Sequence, residues 1–143
     1  MVDEPSHRVA LLSVHPEYAQ AILNGTKTVE FRKRPLAPDI RYVAIYATKP
    51  IGKVVGVFSI QEQILAPPES LWSQFRTVAG ISEAKFHAYF DGRDQGVGIK
   101  VTELSALLEQ ETLEVAFGIS RAPQSCQYFR PAEASTSLRL AFT

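Results

Sequence analysis

Gly25-Thr26-Lys27-Thr28-Val29-Glu30-Phe31-Arg32 is the stretch on which the reading of this 143-residue chain turns. Successive side chains of a strand point to opposite faces. A strand over Thr28 to Lys33 therefore sends Val29 and Phe31 into a core and lines up Thr28, Glu30 and Arg32 on a polar, concave surface. Neighbours on that surface stand about 7 Å apart, close enough for a hydroxyl, a carboxylate and a guanidinium to serve one ligand. Lys27 sits at the strand entry, two residues past a glycine whose free φ lets the chain turn its amine towards the same face. Two readings stand side by side: an exposed Glu30–Arg32 ion pair worth less than about 1 kcal/mol with Lys27 solvated, or a binding cluster.

Working outward, Arg8 to Val14 reads as a buried strand, and Pro16 suits the first turn of a helix through Tyr18, Ala19, Ile22 and Leu23. Asn24-Gly25 ends that helix and turns the chain into the motif strand. Tyr42 to Ala47 and Lys53 to Gln63 are β-branched runs joined by Lys49-Pro50-Ile51-Gly52, the pattern of a hairpin. Pro67-Pro68 opens a helical region holding Leu71, Trp72 and Phe75, and Ser82-Glu83 opens another holding Phe86, Tyr89 and Phe90. Val97 to Leu108 predicts a further long strand. Glu109 to Phe117 carries mixed signals, and Ala122-Pro123-Gln124 begins an extended segment. Residues 1–7 and about 131–143 are read as flexible tails, the second with room for a short strand over Leu138 to Phe142. No internal repeat is visible. Five or six short strands without βαβ alternation predict an α+β domain built on a small curled sheet or barrel.

Length favours a single domain spanning 1–143, and hydrophobic (45%) and charged (21%) fractions are those of a globular chain. Fifteen Lys and Arg balance fifteen Asp and Glu, so no global field draws the protein to nucleic acid or to an anionic membrane. Attraction for anions has to be local, and Lys27, Arg32, Lys33, Arg34 and Arg41 supply it. No segment has the roughly 20 apolar residues of a membrane span, and the start of the chain has no apolar run of signal type. With one cysteine, Cys126, there is no internal disulfide, and the expected location is the cytoplasm. His7, His15 and His87 are scattered, so no metal site is expected; nor does any motif call for a cofactor or an obligate protein partner.

Gly25, Lys27, Glu30 and Arg32 reproduce the GxKxxExR signature of the ASCH family, of PUA-like superfold, which this chain resembles. The resemblance extends from Leu11-Leu12-Ser13-Val14-His15-Pro16 through Ile45-Tyr46-Ala47-Thr48 and Leu71-Trp72 to Tyr89-Phe90-Asp91-Gly92. It implies a PUA-like β-barrel with peripheral helices and a cleft beside the motif that recognises RNA, a nucleotide or a nucleoside, in RNA metabolism or regulation. The expected ligand-binding residues are Lys27, Thr28, Glu30 and Arg32, with Ser13 as a donor and Tyr46 or Tyr89 as a stacking ring. An alternative is a hydrolase, either an N4-acetylcytidine amidohydrolase or a ribonuclease, in which Lys27 and Glu30 carry catalysis. The family's amidohydrolases have threonine where Glu30 stands, and their second glutamate has no counterpart nearer than Glu69. Trp72, read as core packing, would support a third function, protein interaction, if the motif face were filled by the protein's own side chains. His15 and Ser13 lack a partnered acid, and Cys126 is read as inert.

Overall fold

The computed structural model describes residues 7–142. The chain runs β1 (Val9–Val14), α1 (Pro16–Leu23), β2 (Val29–Arg32), β3 (Tyr42–Ala47), β4 (Lys53–Ala66), α2 (Pro68–Phe75), α3 (Glu83–Tyr89), β5 (Gly96–Glu111), α4 (Leu113–Phe117), β6 (Cys126–Phe129), a 3-10 turn at Pro131–Glu133 and α5 (Thr136–Ala141). The strands of the described residues form one curled six-stranded sheet in the order β2-β5-β4-β3-β1-β6. Only β1 and β3 pair in parallel, with Leu12 beside Ile45; every other pair is antiparallel. The frame is the long β4–β5 ladder, which runs from Ala66 opposite Gly96 to Val54 opposite Glu111 and carries α2 and α3 as an insertion at one end.

Alternation along the strands divides the apolar residues among three clusters. Ala10, Leu12, Val43, Ile45 and Phe58 turn to the inside of the curl, where Ala19 and Ile22 of α1 cover them. Their neighbours Val9, Leu11, Ala44, Tyr46 and Val57 turn outward and are covered by Phe117 of α4 and Leu138 of α5. Val29 and Phe31 of β2 pack against Leu71, Phe75, Phe86 and Phe90 of the α2–α3 insertion. The phenylalanine rings there meet edge to face, Phe31 and Phe86 at 4.8 Å between centroids, an arrangement favoured by the ring quadrupoles.

The motif strand is shorter at both ends than the sequence suggested, β2 comprising Val29–Arg32, and the expected β3–β4 hairpin is present. The C-terminal segment differs from expectation. In place of a flexible tail or a strand over Leu138 to Phe142, Ser135 accepts from the Leu138 amide at 3.3 Å and starts α5, while its own hydroxyl donates to Glu111 at 2.7 Å. A Ser, Ala and Thr-rich composition looked mobile, but its apolar positions Leu138 and Phe142 have a hydrophobic outer sheet face to close. Of the other expected tail, residues 1–6 lie outside the described residues.

Because Leu138 is 0% exposed, Leu138→Ala should cost about 2–5 kcal/mol of unfolding free energy in a denaturant titration. A change within about 0.5 kcal/mol, the range of surface substitutions, would mean that α5 does not seal the outer face.

Candidate functional site

Lys27, at the junction of α1 and β2, is 2% exposed and yet carries an amine. Three features hold it. Its Nζ donates to the Ala79 carbonyl oxygen, stands 3.8 Å from Glu30 Oε1, and lies 5.0 Å from the Phe31 ring centre and 5.4 Å from that of Tyr18. Burial pushes its pKa below the ordinary lysine range; Glu30 opposes that shift and Arg32 adds to it. The Ala79 carbonyl reaches the amine because Gly80 follows in a left-handed conformation, φ +61°, and a Cβ at Gly80 would stand 2.5 Å from Lys27 Cβ.

From Lys27 the chain of contacts runs outward through Glu30 to Arg32. The Arg32 guanidinium donates from Nε to Glu30 Oε2 at 3.1 Å, with Nη2 2.9 Å from the same oxygen. Nη2 also donates to the Ser13 carbonyl at 2.8 Å, and Nη1 donates to Ser125 Oγ at 3.2 Å. A guanidinium has five N–H groups, so these contacts leave one on Nη1 for a ligand. The side chain of Arg32 is 12% exposed and that of Glu30 8%.

These residues floor a cavity of about 730 Å³, within the range of about 300–1,000 Å³ usual for small-ligand sites. It lies between β2, β1, β6 with the segment leading into it, and the C-terminal half of α3. Aromatic walls come from Tyr18, Phe31, Tyr89 and Tyr128, with His15 at the start of α1. The cationic side chains Lys27, Arg32, Lys33, Arg34 and Arg93 line it, against the single carboxylate of Glu30.

Of the residues singled out in the sequence, Lys27, Glu30, Arg32, Ser13 and Tyr89 surround this one cavity. Ser13 contributes its carbonyl, since its hydroxyl donates to the Pro123 carbonyl at 2.6 Å. Burial pushes the Tyr89 hydroxyl above the ordinary tyrosine range, and the ring stays 36% exposed at the mouth. Thr28 and Tyr46 require correction. Thr28 is exposed and absent from the cavity wall, because its backbone bonds to Val78 and Val101 as the chain enters β2 and its side chain leaves on the solvent side. Tyr46 follows inward-facing Ile45 and so lies in the outer cluster, against a separate small depression with Gly52 and Leu113. Trp72 packs on Phe86 at 5.1 Å, as core. Sequence reasoning missed Ala79, Gly80 and Ser125, which meet the motif only through the fold. Cys126, read from the sequence as inert, lines the cavity.

Among the described residues, no helix is long and apolar enough to cross a membrane, and no three His, Cys, Asp or Glu side chains are grouped to hold a metal ion.

A curled six-stranded sheet with peripheral helices and a polar cavity at the GxKxxExR strand defines an α+β domain of PUA-like fold. The chain belongs to the ASCH domain family, whose pattern it matches over residues 12–120. An ASCH domain-containing ribonuclease of Zymomonas mobilis subsp. mobilis is 31% identical over 136 residues, 93% of this chain and 92% of its own. A crystal structure of ASCH from Zymomonas mobilis superimposes with a TM-score of 0.81 at 28% identity, covering 94% of each chain. A single-residue variant of that protein gives 0.81 at 30% identity over 90% of this chain and 93% of its own.

Two outcomes check the buried lysine. Gly25→Ala, at φ +85° with open space around it, should cost only the left-handed backbone penalty of about 1–2 kcal/mol. Gly80→Ala should cost a further ~1–3 kcal/mol from crowding Lys27, measured by chemical unfolding; equal costs would remove Gly80 from its role. The second outcome concerns pH. A lysine whose pKa is lowered on folding binds its proton more tightly in the unfolded chain, so the penalty is full at low pH. It is relieved as pH climbs from the lowered folded value towards the ordinary 10.5. The stability of wild type minus that of Lys27→Met should therefore rise over that window. A flat difference would contradict the burial of a charged amine.

Proposed function

We propose that this protein binds single-stranded RNA with one nucleotide seated in the cavity, and cleaves it as a ribonuclease. The observation that carries the reading is the charge of the cavity: five cationic side chains against one carboxylate, in a chain whose formal charge is zero. Such a concentration of one sign favours an anion at that place. The aromatic walls suit a base, which in RNA can be splayed out of a single strand and stacked on such rings. A base held in a duplex is not free to enter.

Binding ranked ahead of hydrolysis on the sequence alone. Similarity over nearly the full length of a relative named as a ribonuclease favours cleavage, and the geometry suits phosphoryl transfer, in which negative charge spreads over the phosphate oxygens. The groups left to meet that charge are the remaining Nη1 hydrogen of Arg32 and the hydroxyl of Ser125, which accepts from Arg32 and keeps its own proton to donate. In this reading Lys27 and Glu30 are positioning residues: Lys27 fixes Glu30, and Glu30 holds the plane of Arg32. Acyl hydrolysis would need the amine or the carboxylate free to reach an acyl carbon, and both are engaged.

Purified protein should cleave a single-stranded RNA oligonucleotide and spare the blunt duplex of the same sequence. Arg32→Gln should lower kcat/KM by about 10- to 100-fold, the worth of a charge-assisted hydrogen bond of roughly 1.5–3 kcal/mol. Absence of both binding and cleavage in the wild type, or an Arg32→Gln variant as active as wild type, would refute the reading.

A further inference from the structure

We propose that the mouth of the cavity holds a second subsite, formed by Lys33, Arg34 and Arg93 with the ring of Tyr89, which takes the phosphate and base one step along the same RNA strand. The inference rests on the cavity being an RNA site and adds to it where the strand leaves and how short a substrate is useful.

Lys33 and Arg34 follow directly on the last residue of β2, while Arg93 comes from the loop between α3 and β5. Two contacts join these segments. Arg93 Nη2 donates to the Lys33 carbonyl at 3.0 Å, and Lys33 Nζ lies 5.0 Å from the centre of the Tyr89 ring. All three cations are exposed and all three line the cavity. Arg8, Lys85, Lys100 and Arg130 each have a carboxylate within 4 Å; among the described residues Lys33, Arg34 and Arg93 have none, and of the cations without one they alone line the cavity. Asp91 and Asp94 flank Arg93 in sequence, yet neither lines the cavity.

Three unneutralised cations on one lip are more than the single phosphate of a seated nucleotide requires, since Arg32 and Ser125 already face that phosphate at the floor. Next along the strand comes another base, then its phosphate. Tyr89 offers the base a face, and stacking on it tolerates any base identity. Lys33 leaves the ring to meet the phosphate, exchanging a cation–π contact for a charge-assisted bond, the stronger of the two. On this arrangement the strand exits over α3 and the β2–β3 loop, and the opposite lip, made by Gln124 and Cys126 without a cation, does not hold RNA.

The test is calorimetric titration with two probes methylated at the 2′-oxygen to block cleavage through that hydroxyl: uridine 3′-monophosphate and the dinucleotide UpUp. In wild type the dinucleotide should bind about tenfold tighter, the size of one added charge-assisted contact. In Arg34→Gln/Arg93→Gln that ratio should fall below about threefold. Arg34→Gln alone, which breaks no hydrogen bond of the described residues, should reduce the ratio in part, so the outcome does not hang on the Arg93 contact to the Lys33 carbonyl. Equal weakening of both probes, or an unchanged ratio in the double variant, would overturn the subsite and leave the cavity reading intact. A wild type that binds the monophosphate with no gain for UpUp does the same. If neither probe binds wild type, both fall.

Discussion

The guanidinium of Arg32 closes the open side of the sheet. With strand order β2-β5-β4-β3-β1-β6 the two edges are β2 and β6, and a sheet that curls without closing leaves a gap between them. Arg32 ends the first edge and reaches across to the Ser13 carbonyl on β1 and to Ser125, the residue before β6. Edge strands need to be covered or closed; here β2 is tied across by a side chain instead of a ladder, and Tyr128 of β6 adds a second bridge by accepting from the Ala37 amide at 2.9 Å. What remains of the gap above Arg32 is the cavity, so this side chain both ties the curl and forms the floor of the site.

The electrostatics of that closure explain the signature around it. Burying a cation is expensive unless it is paired and hydrogen-bonded. Glu30 supplies the pairing, but a lone buried carboxylate would satisfy Arg32 and leave the floor neutral. Lys27 on the far side of Glu30 restores an excess positive charge. Its own burial is supported by the Ala79 carbonyl and two aromatic faces. The result is a triad with a net charge of one, rigid because each member is held by the next, and facing outward only through a guanidinium edge. Val29 and Phe31, alternating with it, anchor the same strand to the α2–α3 cluster, so the polar chain cannot move without disturbing a packed aromatic core.

How much of this was legible in the sequence follows from how local each determinant is. Alternation in β2, the proline start of α1 and the serine start of α3 are neighbour effects, and those elements were readable. Tyr46 was open to the same reading: counting from Ile45 puts it on the outer face, and proximity to a turn was the weaker guide. Ser135 with Leu138 three residues on was likewise a local capping signal for α5, obscured by a composition that resembles a mobile tail. Other features were beyond reach. Ala79 meets Lys27 across 52 residues and Ser125 meets Arg32 across 93, distances over which spacing carries no information. Nothing in the sequence around Gly80 signals that Lys27 occupies the place of its missing side chain.

Under the proposed function, the free edge of the Arg32 guanidinium receives an RNA phosphate inside the cavity. A crystal structure of the protein with 2′-O-methyluridine 3′-monophosphate tests it most directly. The phosphate should lie within hydrogen-bonding distance, about 2.7–3.2 Å, of Arg32 Nη1 and Ser125 Oγ, with the Lys27–Glu30–Arg32 contacts unbroken and the base against the aromatic wall. A nucleotide bound on the outer face of the sheet, or one whose phosphate displaces Glu30 to reach Lys27, would contradict it.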